Sequence, residues 1–553
     1  MPYNDQHEQQ NSSKKARNHS IRAFFKRGNS LRPSKSPGYL LLTIGILIAL
    51  MMATPILYVI WTSLFAGTER WMNLLDKRIP GLLANTLSLT VVVTILAVMI
   101  GVSLAWFVNR CDLPGKKVWQ WLLALPLVIP PYVGAMTYII ILGPAGWLKK
   151  KWDNSSILTS FANEYPLNIY SFWGVVFVLT MFTYPYVYLI ASTALRNMNR
   201  SFEDVARSQG MGPMKVFWRV NIPLLRPAIG AGAILIALYV LSDFGAIAML
   251  RYNTFTAAIY YQMGNYDHIA ASILSMILIV ITLIFLWFER WTRKKQRYHQ
   301  TANAYTKPDT LPLGRWKPIV LTYVGIIFTL SVVLPLIVLI YWSKIGIASG
   351  AINERFWEYV WNSVSVAGIA AFICMVLALP LVYMKVRYPS LVTSIIDKMA
   401  YSGYSLPGVI VALGIIFVFN QYIPWLYNTI ALLFFAYVVR FLPQAMQAGE
   451  ASLNLVSPSI DEAAQGLGYS PLKVMLKVII PLILPGILAG GALVFVSSIK
   501  ELPATLLLRP PGFDTLAIRV WTEASEAVYY LAAPAALLII IVSIIPLKYM
   551  LKK

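Results

Sequence analysis

The same segment occurs twice in this chain: residues 203–232 read EDVARSQGMGPMKVFWRVNIPLLRPAIGAG, and residues 461–490 read DEAAQGLGYSPLKVMLKVIIPLILPGILAG. The copies align without a gap at an offset of 258 residues (461 minus 203). Many identical positions carry Gly, Pro or Lys, so a shared apolar character does not explain the match. The chain therefore contains an internal duplication, and the two copies set the register of its halves.

Apolar runs of membrane-spanning length surround both copies. The 553 residues are 58% hydrophobic and only 12% charged, whereas a soluble protein carries about 25% charged residues. This composition excludes a soluble globular protein. A bilayer is crossed by about 20 apolar residues, and the sequence predicts twelve such runs: 39–60, 86–108, 118–142, 170–194, 229–247, 269–288, 319–342, 364–384, 395–419, 429–448, 487–505 and 531–551.

A basic segment divides these runs into two groups of six. We predict a cytoplasmic tail at 1–37, a first six-span domain at 38–288, a cytoplasmic linker at 289–318 and a second six-span domain at 319–553. The predicted fold is an all-α membrane protein with about twelve transmembrane helices in two tandem six-helix domains. Because six is an even number, the domains are parallel repeats. Most Lys and Arg fall on the side of the two termini, which places both termini in the cytoplasm.

Composition also limits the chemistry of the chain. Basic cytoplasmic loops explain the net charge of +23, so nucleic acid is not an expected partner. Cys111 and Cys374 are too far apart in sequence to form a local metal or redox pair. The four His have no metal-binding spacing, and no G-x-x-x-x-G-K-[ST] phosphate loop occurs. We expect no catalytic residue, no metal site and no cofactor on this chain.

The duplicated polar loop has the pattern of a compact helical turn. Acidic residues begin each copy, where negative charge favours a helix N-terminus. Gly210 and Gly468 permit the left-handed backbone that reverses the chain, and Pro213 and Pro471 suit the start of the next helix. The later prolines predict a break before the chain re-enters the membrane. A rigid cytoplasmic loop repeated twice indicates docking to a two-fold partner, whose basic groups would pair with the acids.

These loops resemble the EAA loop of the permease subunits of binding-protein-dependent ABC importers, although Val205 replaces the usual Ala. The resemblance covers both halves, because Asn85-Thr86 and Asn362-Ser363 also match the start of an early span in such permeases. It implies a type I importer fold in a bacterial inner or plasma membrane. The implied partners are membrane lipid, an external substrate-binding protein and a cytoplasmic dimer of subunits that bind ATP. The implied contacts with that dimer are Glu203, Asp204, Ala206, Gly210, Pro213, Lys215, Pro223, Asp461, Glu462, Ala464, Gly468, Pro471, Lys473 and Pro481.

Two further stretches, KELPATLLLRP at 500–510 and AAPAA at 532–536, resemble the fused ferric-iron permeases of this family. The resemblance implies import of ferric iron, driven by separate ATPase subunits. Thiamine and other small-solute permeases are the alternatives within the family. An ion-coupled secondary transporter or a passive channel are alternatives from other classes, but neither explains the two matched loops.

Ionisable residues and prolines within the spans mark a candidate pathway. Asp243 and Glu501 follow the two loops at matching positions, and a helix count places them near the outer membrane boundary. We expect an ion pair there with Arg251, Arg509 or Lys500, or else direct contact with substrate. Arg440 is assigned to gating, to packing or to snorkelling toward the cytoplasm. The predicted pathway or gate residues are Pro130, Pro131, Asp243, Arg251, Pro407, Arg440, Glu501 and Arg509.

Overall fold

The computed structural model describes residues 37–155, 165–199, 201–294, 310–404 and 406–551. Within these ranges the chain is helical and has no β-strand, and one isolated bridge joins Cys111 to Leu311. Residues 1–36 of the predicted tail and residues 295–309 of the predicted linker lie outside the described part of the chain.

The α-helices follow the predicted apolar runs and the loops between them. In the first half they are Tyr39–Leu64, Thr68–Lys77, Ile79–Arg110, Lys116–Leu122, Pro131–Leu142, Trp147–Asp153, Phe172–Asn197, Ser201–Ser208, Pro213–Val216, Ile222–Ser242, Gly245–Met249, Phe255–Gly264 and His268–Lys294. In the second half they are Lys317–Phe328, Leu334–Ala348, Glu354–Arg387, Leu391–Ala400, Gly408–Tyr422, Ile430–Leu453, Pro458–Gly466, Pro471–Val474, Ile480–Ile499, Pro503–Leu508, Leu516–Ser525 and Tyr529–Leu551.

Ten helical segments of the described chain are long and apolar enough to cross a membrane. Two shorter apolar helices, Gly408–Tyr422 and Tyr529–Ile544, account for the remaining predicted runs. The structure therefore confirms the all-helical membrane fold with two tandem sets of spans.

Proline interrupts the third apolar run of each half, as predicted. In the first half, Leu125–Val128 is a 3-10 turn, and Pro130 is the N-cap of the helix that starts at Pro131. In the second half, Pro407 is the N-cap of Gly408–Tyr422. Proline has no N–H to donate and its ring excludes the preceding helical turn, so both runs consist of two shorter helices.

The predicted break at the later prolines is wrong. A π-helical turn, Phe217–Asn221 or Met475–Ile479, joins the short helix after each glycine directly to the membrane helix. Pro223 and Pro481 then lie in the first turn of Ile222–Ser242 and Ile480–Ile499. The wider π-turn changes the hydrogen-bond register just before the residue that lacks an N–H, so the helix continues instead of ending.

The first helix of each half packs against the other half, which the sequence did not predict. Tyr39–Leu64 packs on Gly408–Tyr422, and a Cβ at Gly414 would lie 2.2 Å from the Pro55 carbonyl oxygen. Only glycine allows this close backbone approach. The first helical segment of the second half likewise contacts the first half. The Ser331 and Tyr184 hydroxyls lie 3.3 Å apart, and the Tyr323 and Ser103 hydroxyls lie 2.7 Å apart. Each hydrophobic core therefore contains residues from both halves.

Equivalent hydrogen bonds in the two halves hold the loops that lead into the short helices Phe255–Gly264 and Leu516–Ser525. The Thr86 hydroxyl accepts from Phe255 N at 3.2 Å, and the Ser363 hydroxyl accepts from Leu516 N at 2.7 Å. The neighbouring Asn85 and Asn362 amides donate to the carbonyls of Asn253 and Asp514, each at 3.0 Å. The Asn-Thr and Asn-Ser pairs thus bond the N-termini of two short helices that the chain reaches more than 150 residues later.

The Ser363 hydroxyl, which caps the N-terminus of Leu516–Ser525, provides a test of this arrangement. Ser363→Ala leaves the buried Leu516 N–H without an acceptor, and an unpaired buried polar group costs about 1–3 kcal/mol. We expect the purified full-length chain to unfold at a lower temperature in a thermal melt. Ser365→Ala is the matched control, because the Ser365 hydroxyl bonds only a carbonyl of its own helix. Equal melting temperatures for the two variants would contradict the capping role.

Candidate functional site

The two duplicated loops, residues 201–216 and 458–474, have the same backbone turn. Gly210 and Gly468 have φ of 77° and 87°, which confirms the predicted left-handed conformation. The Gly210 N–H bonds the Arg207 carbonyl at 2.9 Å, and the Gly468 N–H bonds the Gln465 carbonyl at 2.9 Å. This pattern satisfies carbonyls at a helix C-terminus, so each loop is a defined helix–turn–helix unit.

The first acid of each loop is buried and paired within this chain. Glu203 Oε1 lies 3.2 Å from Arg110 Nη2, and the side chains are 3% and 1% exposed. Asp461 Oδ2 lies 2.9 Å from Arg387 Nε, with exposures of 7% and 8%. The Tyr383 hydroxyl also donates to Asp461 Oδ1 at 3.1 Å.

The prediction that these acids pair with a partner is therefore wrong for Glu203 and Asp461. A buried carboxylate requires a nearby cation, and Arg110 and Arg387 supply it from the last turn of Ile79–Arg110 and Glu354–Arg387. Each pair joins a loop to the end of a long membrane helix. Sequence reasoning missed both arginines, which lie two and three residues beyond the predicted spans 86–108 and 364–384.

Other predicted loop residues divide between the interior and the surface. Ala206 and Ala464 are buried, whereas Lys215, Glu462 and Lys473 are exposed. Pro471 begins its helix as predicted, and Pro213 is the first residue of Pro213–Val216. Asp204 lies in the first turn of Ser201–Ser208.

Large apolar side chains are exposed on both loops. In the first loop, Phe202 and Val205 are 47% and 58% exposed, and they line a shallow cavity of about 330 Å³ together with Pro223. In the second, Leu467 is 82% exposed. Such apolar surface beside polar groups is typical of a protein-binding site. Val205, the residue that departs from the EAA pattern, thus lies at this surface and not in the interior.

A second site lies between the halves, where the two carboxylates differ. Glu501 forms an ion pair with Arg440, and Glu501 Oε1 also accepts from Ala504 N at 3.1 Å. Asp243 Oδ1 instead accepts from Ala246 N at 3.1 Å and Ile247 N at 3.2 Å, which caps a short helix. No cation pairs with Asp243 among the described residues.

The expected outer gate pairs are therefore wrong. Arg509 pairs with Asp514, the Arg251 guanidinium lies 5.3 Å from the Tyr170 ring centroid, and Lys500 Nζ donates to the Leu127 carbonyl at 3.2 Å. Arg440 also does not snorkel, because its helix continues to Leu453.

The Glu501 ion pair places this carboxylate beside the proline break of the second half. Arg440 is ten residues from Ile430, about 15 Å along its helix. A Cβ at Gly408 would lie 2.4 Å from Arg440 Nη1 and 2.9 Å from Glu501 Oε1. In the first half, Phe182 takes the position of Arg440, and its ring packs on Gly134.

Metal ligands and reactive cysteines are absent from this site. No group of three or more His, Cys, Asp or Glu in the described part of the chain could hold a metal ion. Cys111 and Cys374 are both buried and unbridged.

Comparison with known proteins agrees with this architecture. Residues 97–298 and 378–550 each match the family described as "Binding-protein-dependent transport system inner membrane component". The chain belongs to this family. Both halves of the chain are thus permease domains, and the duplication is a fusion of two family members.

Several relatives of this permease have names that state a substrate. The chain is 35% identical to the Fe(3+)-transport system permease protein FbpB 2 of Haemophilus influenzae, over 94% of this chain and 99% of that protein. It is 23% identical to the ferric transport system permease protein FbpB of Actinobacillus pleuropneumoniae, over 85% and 71% of the two chains. It is 24% identical to a probable sulfate transport system permease protein of Marchantia polymorpha, over 43% and 82%.

The buried pair in the second loop of the permease generates a prediction. Asp461→Ala leaves the Arg387 guanidinium buried without its acid, and removal of one partner of a buried pair costs about 3–5 kcal/mol. Replacement of both, Arg387→Met with Asp461→Leu, removes the uncompensated charge, so we expect a smaller loss. Thermal melts and protease cleavage in the loop measure these effects.

Glu462→Ala is the matched control for this test, because Glu462 is the exposed neighbour of Asp461. We expect this control to behave as the unaltered permease does. A double variant less stable than Asp461→Ala would show that the ion pair itself stabilises the loop more than apolar packing can.

Proposed function

We propose that this chain is the permease subunit of an ABC importer that moves ferric iron into the bacterial cytoplasm. An external binding protein delivers the iron, and a separate dimer of ATP-binding subunits supplies the energy, with ATP bound on those subunits and no cofactor on this chain. The observation that carries the proposal is the 35% identity, over nearly the full length of both chains, to a permease named for Fe(3+) transport. The chain acts as a transport pathway and not as an enzyme.

The permease lies in the bacterial inner membrane, with both termini and both duplicated loops in the cytoplasm. The family description supports an inner-membrane location, and the excess of Lys and Arg on that side supports the orientation. The exposed apolar residues of the two loops then face the ATP-binding dimer. Lipid surrounds the outward faces of the spans.

The buried ion pairs transmit movement from the dimer to the spans. A shift of the first loop moves Ile79–Arg110 through the Arg110–Glu203 pair, and a shift of the second moves Glu354–Arg387 through Arg387–Asp461. Each loop also continues through its π-turn into the helix that ends beside Asp243 or Glu501. One rigid unit therefore links the cytoplasmic face to the centre of the pathway on each side.

Sulfate is a second candidate substrate, because relatives named for sulfate transport match about two fifths of the chain. Their similarity covers a single permease domain at 24% identity, whereas the iron-named relative matches both domains. Thiamine remains an alternative from the sequence resemblance alone. Uptake measurements distinguish directly between Fe(III), the oxyanion sulfate and the organic cation thiamine.

ATP-dependent uptake tests the proposed function. Cells that lack this chain, complemented with it, are expected to accumulate labelled Fe(III) but not labelled sulfate or thiamine. Uptake of sulfate or thiamine alone would overturn the iron assignment. Iron uptake that follows an ion gradient and continues without the ATP-binding subunits would instead identify a secondary transporter.

The loop glycines test the coupling role. Gly210→Val together with Gly468→Val forces a side chain into left-handed backbone, which costs about 1–2 kcal/mol per residue. We expect this variant to insert into the membrane but to lose iron uptake. Gly212→Val with Gly466→Val is the matched control, because these glycines lie in the same loops, have open space and lack a positive φ. Normal uptake by the first variant would contradict coupling through the turns.

A further inference from the structure

A cavity of about 620 Å³ opens on the membrane face opposite the duplicated loops. The chain crosses the membrane in Ile222–Ser242 and returns in His268–Lys294, so the segment between them lies on that opposite face. Both halves line the cavity. Its polar lining includes Tyr260, Tyr261, Tyr266, His268 and Tyr427.

Tyr266 has a left-handed backbone conformation in the turn that ends the helix Phe255–Gly264. Its φ is 59°, in the left-handed region that L side chains rarely adopt, yet its side chain is 83% exposed. Packing therefore does not hold the tyrosine there. The turn requires a left-handed residue at this position, but neither the turn nor packing requires that residue to be tyrosine.

The second half contains the same turn without the tyrosine. Ala527 has φ of 61°, and its N–H bonds Ala524 at 3.1 Å, just as the Tyr266 N–H bonds Met263 at 3.1 Å. The next amide bonds back five residues in both halves, at 3.0 Å for Asp267 and 2.8 Å for Val528. The turn thus forms with alanine, and the tyrosine is particular to the cavity.

His268 also differs from the equivalent residue of the second half in what surrounds it. The equivalent residue in the second half, Tyr529, packs against Trp342 with ring centroids 5.9 Å apart. His268 is instead exposed in the cavity, 6.5 Å from the Tyr266 ring and 5.2 Å from the Phe417 ring by centroid distance. It is the one histidine in the described part of the chain.

The donor groups of the cavity are free to take a ligand. Among the described residues, the hydroxyls of Tyr261 and Tyr266 and the ring nitrogens of His268 have no hydrogen-bond partner, and these residues otherwise make only ring contacts. Asp267 is already engaged, because it accepts from Ala270 N at 3.1 Å and pairs with Arg70 at 3.3 Å. The available donors are therefore phenol oxygens and one imidazole.

The cavity also adjoins the central site. The Tyr260 ring lies 4.6 Å from the ring of Phe244, the residue after Asp243. Leu507 lines the cavity from Pro503–Leu508, the helix that Glu501 caps. A solute in the cavity is thus separated from both carboxylates by one layer of side chains.

We propose that this cavity binds incoming Fe(III) through the Tyr266 phenolate and the His268 imidazole, with Tyr261 as a further donor. Phenolate oxygen is a hard anionic ligand, imidazole also binds iron, and tyrosinate is an established iron ligand. Each phenol that binds loses its proton to water as the iron–oxygen bond forms. The iron stays Fe(III), so no electron donor is required. The inference rests on the proposed iron import and adds the site that first receives the ion.

Direct binding tests the site separately from transport. The purified full-length chain in lipid nanodiscs is titrated with Fe(III) added as its citrate chelate, and the visible phenolate-to-Fe(III) charge-transfer band is recorded. We expect the band for the unaltered chain, and a decrease in Fe(III) affinity of about tenfold or more for Tyr266→Phe and for His268→Gln. Tyr422→Phe is the matched control, because Tyr422 is 65% exposed on the same face but does not line the cavity.

Tyr266→Gly separates the ligand role from a structural one. Glycine relieves the positive φ, so we expect an unchanged or higher melting temperature together with loss of the band and slower Fe(III) uptake. A band that persists in all three variants would overturn the proposal, as would no band in the unaltered chain while that chain still imports iron. A band without any iron uptake would keep the site and reject the proposed import, whereas the absence of both would reject the two together.

Discussion

The buried pairing of an arginine with a carboxylate, made once in each half, is the interaction on which the rest of the architecture depends. Arg110 with Glu203 and Arg387 with Asp461 are all at most 8% exposed. Charges removed from water in this way are strongly destabilising when separated. Each loop is therefore held in one orientation against the end of one long membrane helix. With Glu203 and Asp461 turned inward, the exposed loop surface consists of large apolar side chains beside the charges of Lys215, Glu462 and Lys473.

Patterns that are local in sequence predicted a large part of this structure. The apolar runs, the duplication, the proline breaks and the left-handed glycines all follow from residues close together in the chain. The sequence did not predict the partners of Glu203, Asp461 and Glu501, because each partner lies on a separate helix and no periodic pattern identifies it. Local rules also failed at Pro223 and Pro481, where a π-turn removes the conflict that a proline normally creates.

The duplication has produced two halves with the same backbone but different chemistry. Arg440 neutralises Glu501, whereas Phe182 occupies the matching position and Asp243 only caps a helix. Tyr266 likewise occupies a turn that alanine forms in the second half. Shared residues thus define the scaffold and its two loops. The differences lie along the interface between the halves, where a solute with no two-fold symmetry of its own would pass.

The exchange of first helices has a consequence for how the protein is made. The Tyr58 hydroxyl bonds Gln421, a contact between residues 363 positions apart. At about 5–20 residues per second of synthesis, roughly 20–70 s separate the insertion of the first helix from the appearance of its partner. During that interval Tyr39–Leu64 has lipid on the face that Gly408–Tyr422 later covers. Assembly of the first half is therefore completed only after residues 319–422, a little under half of the second domain, have left the ribosome, and a chain truncated before residue 408 has a first membrane helix without this neighbour.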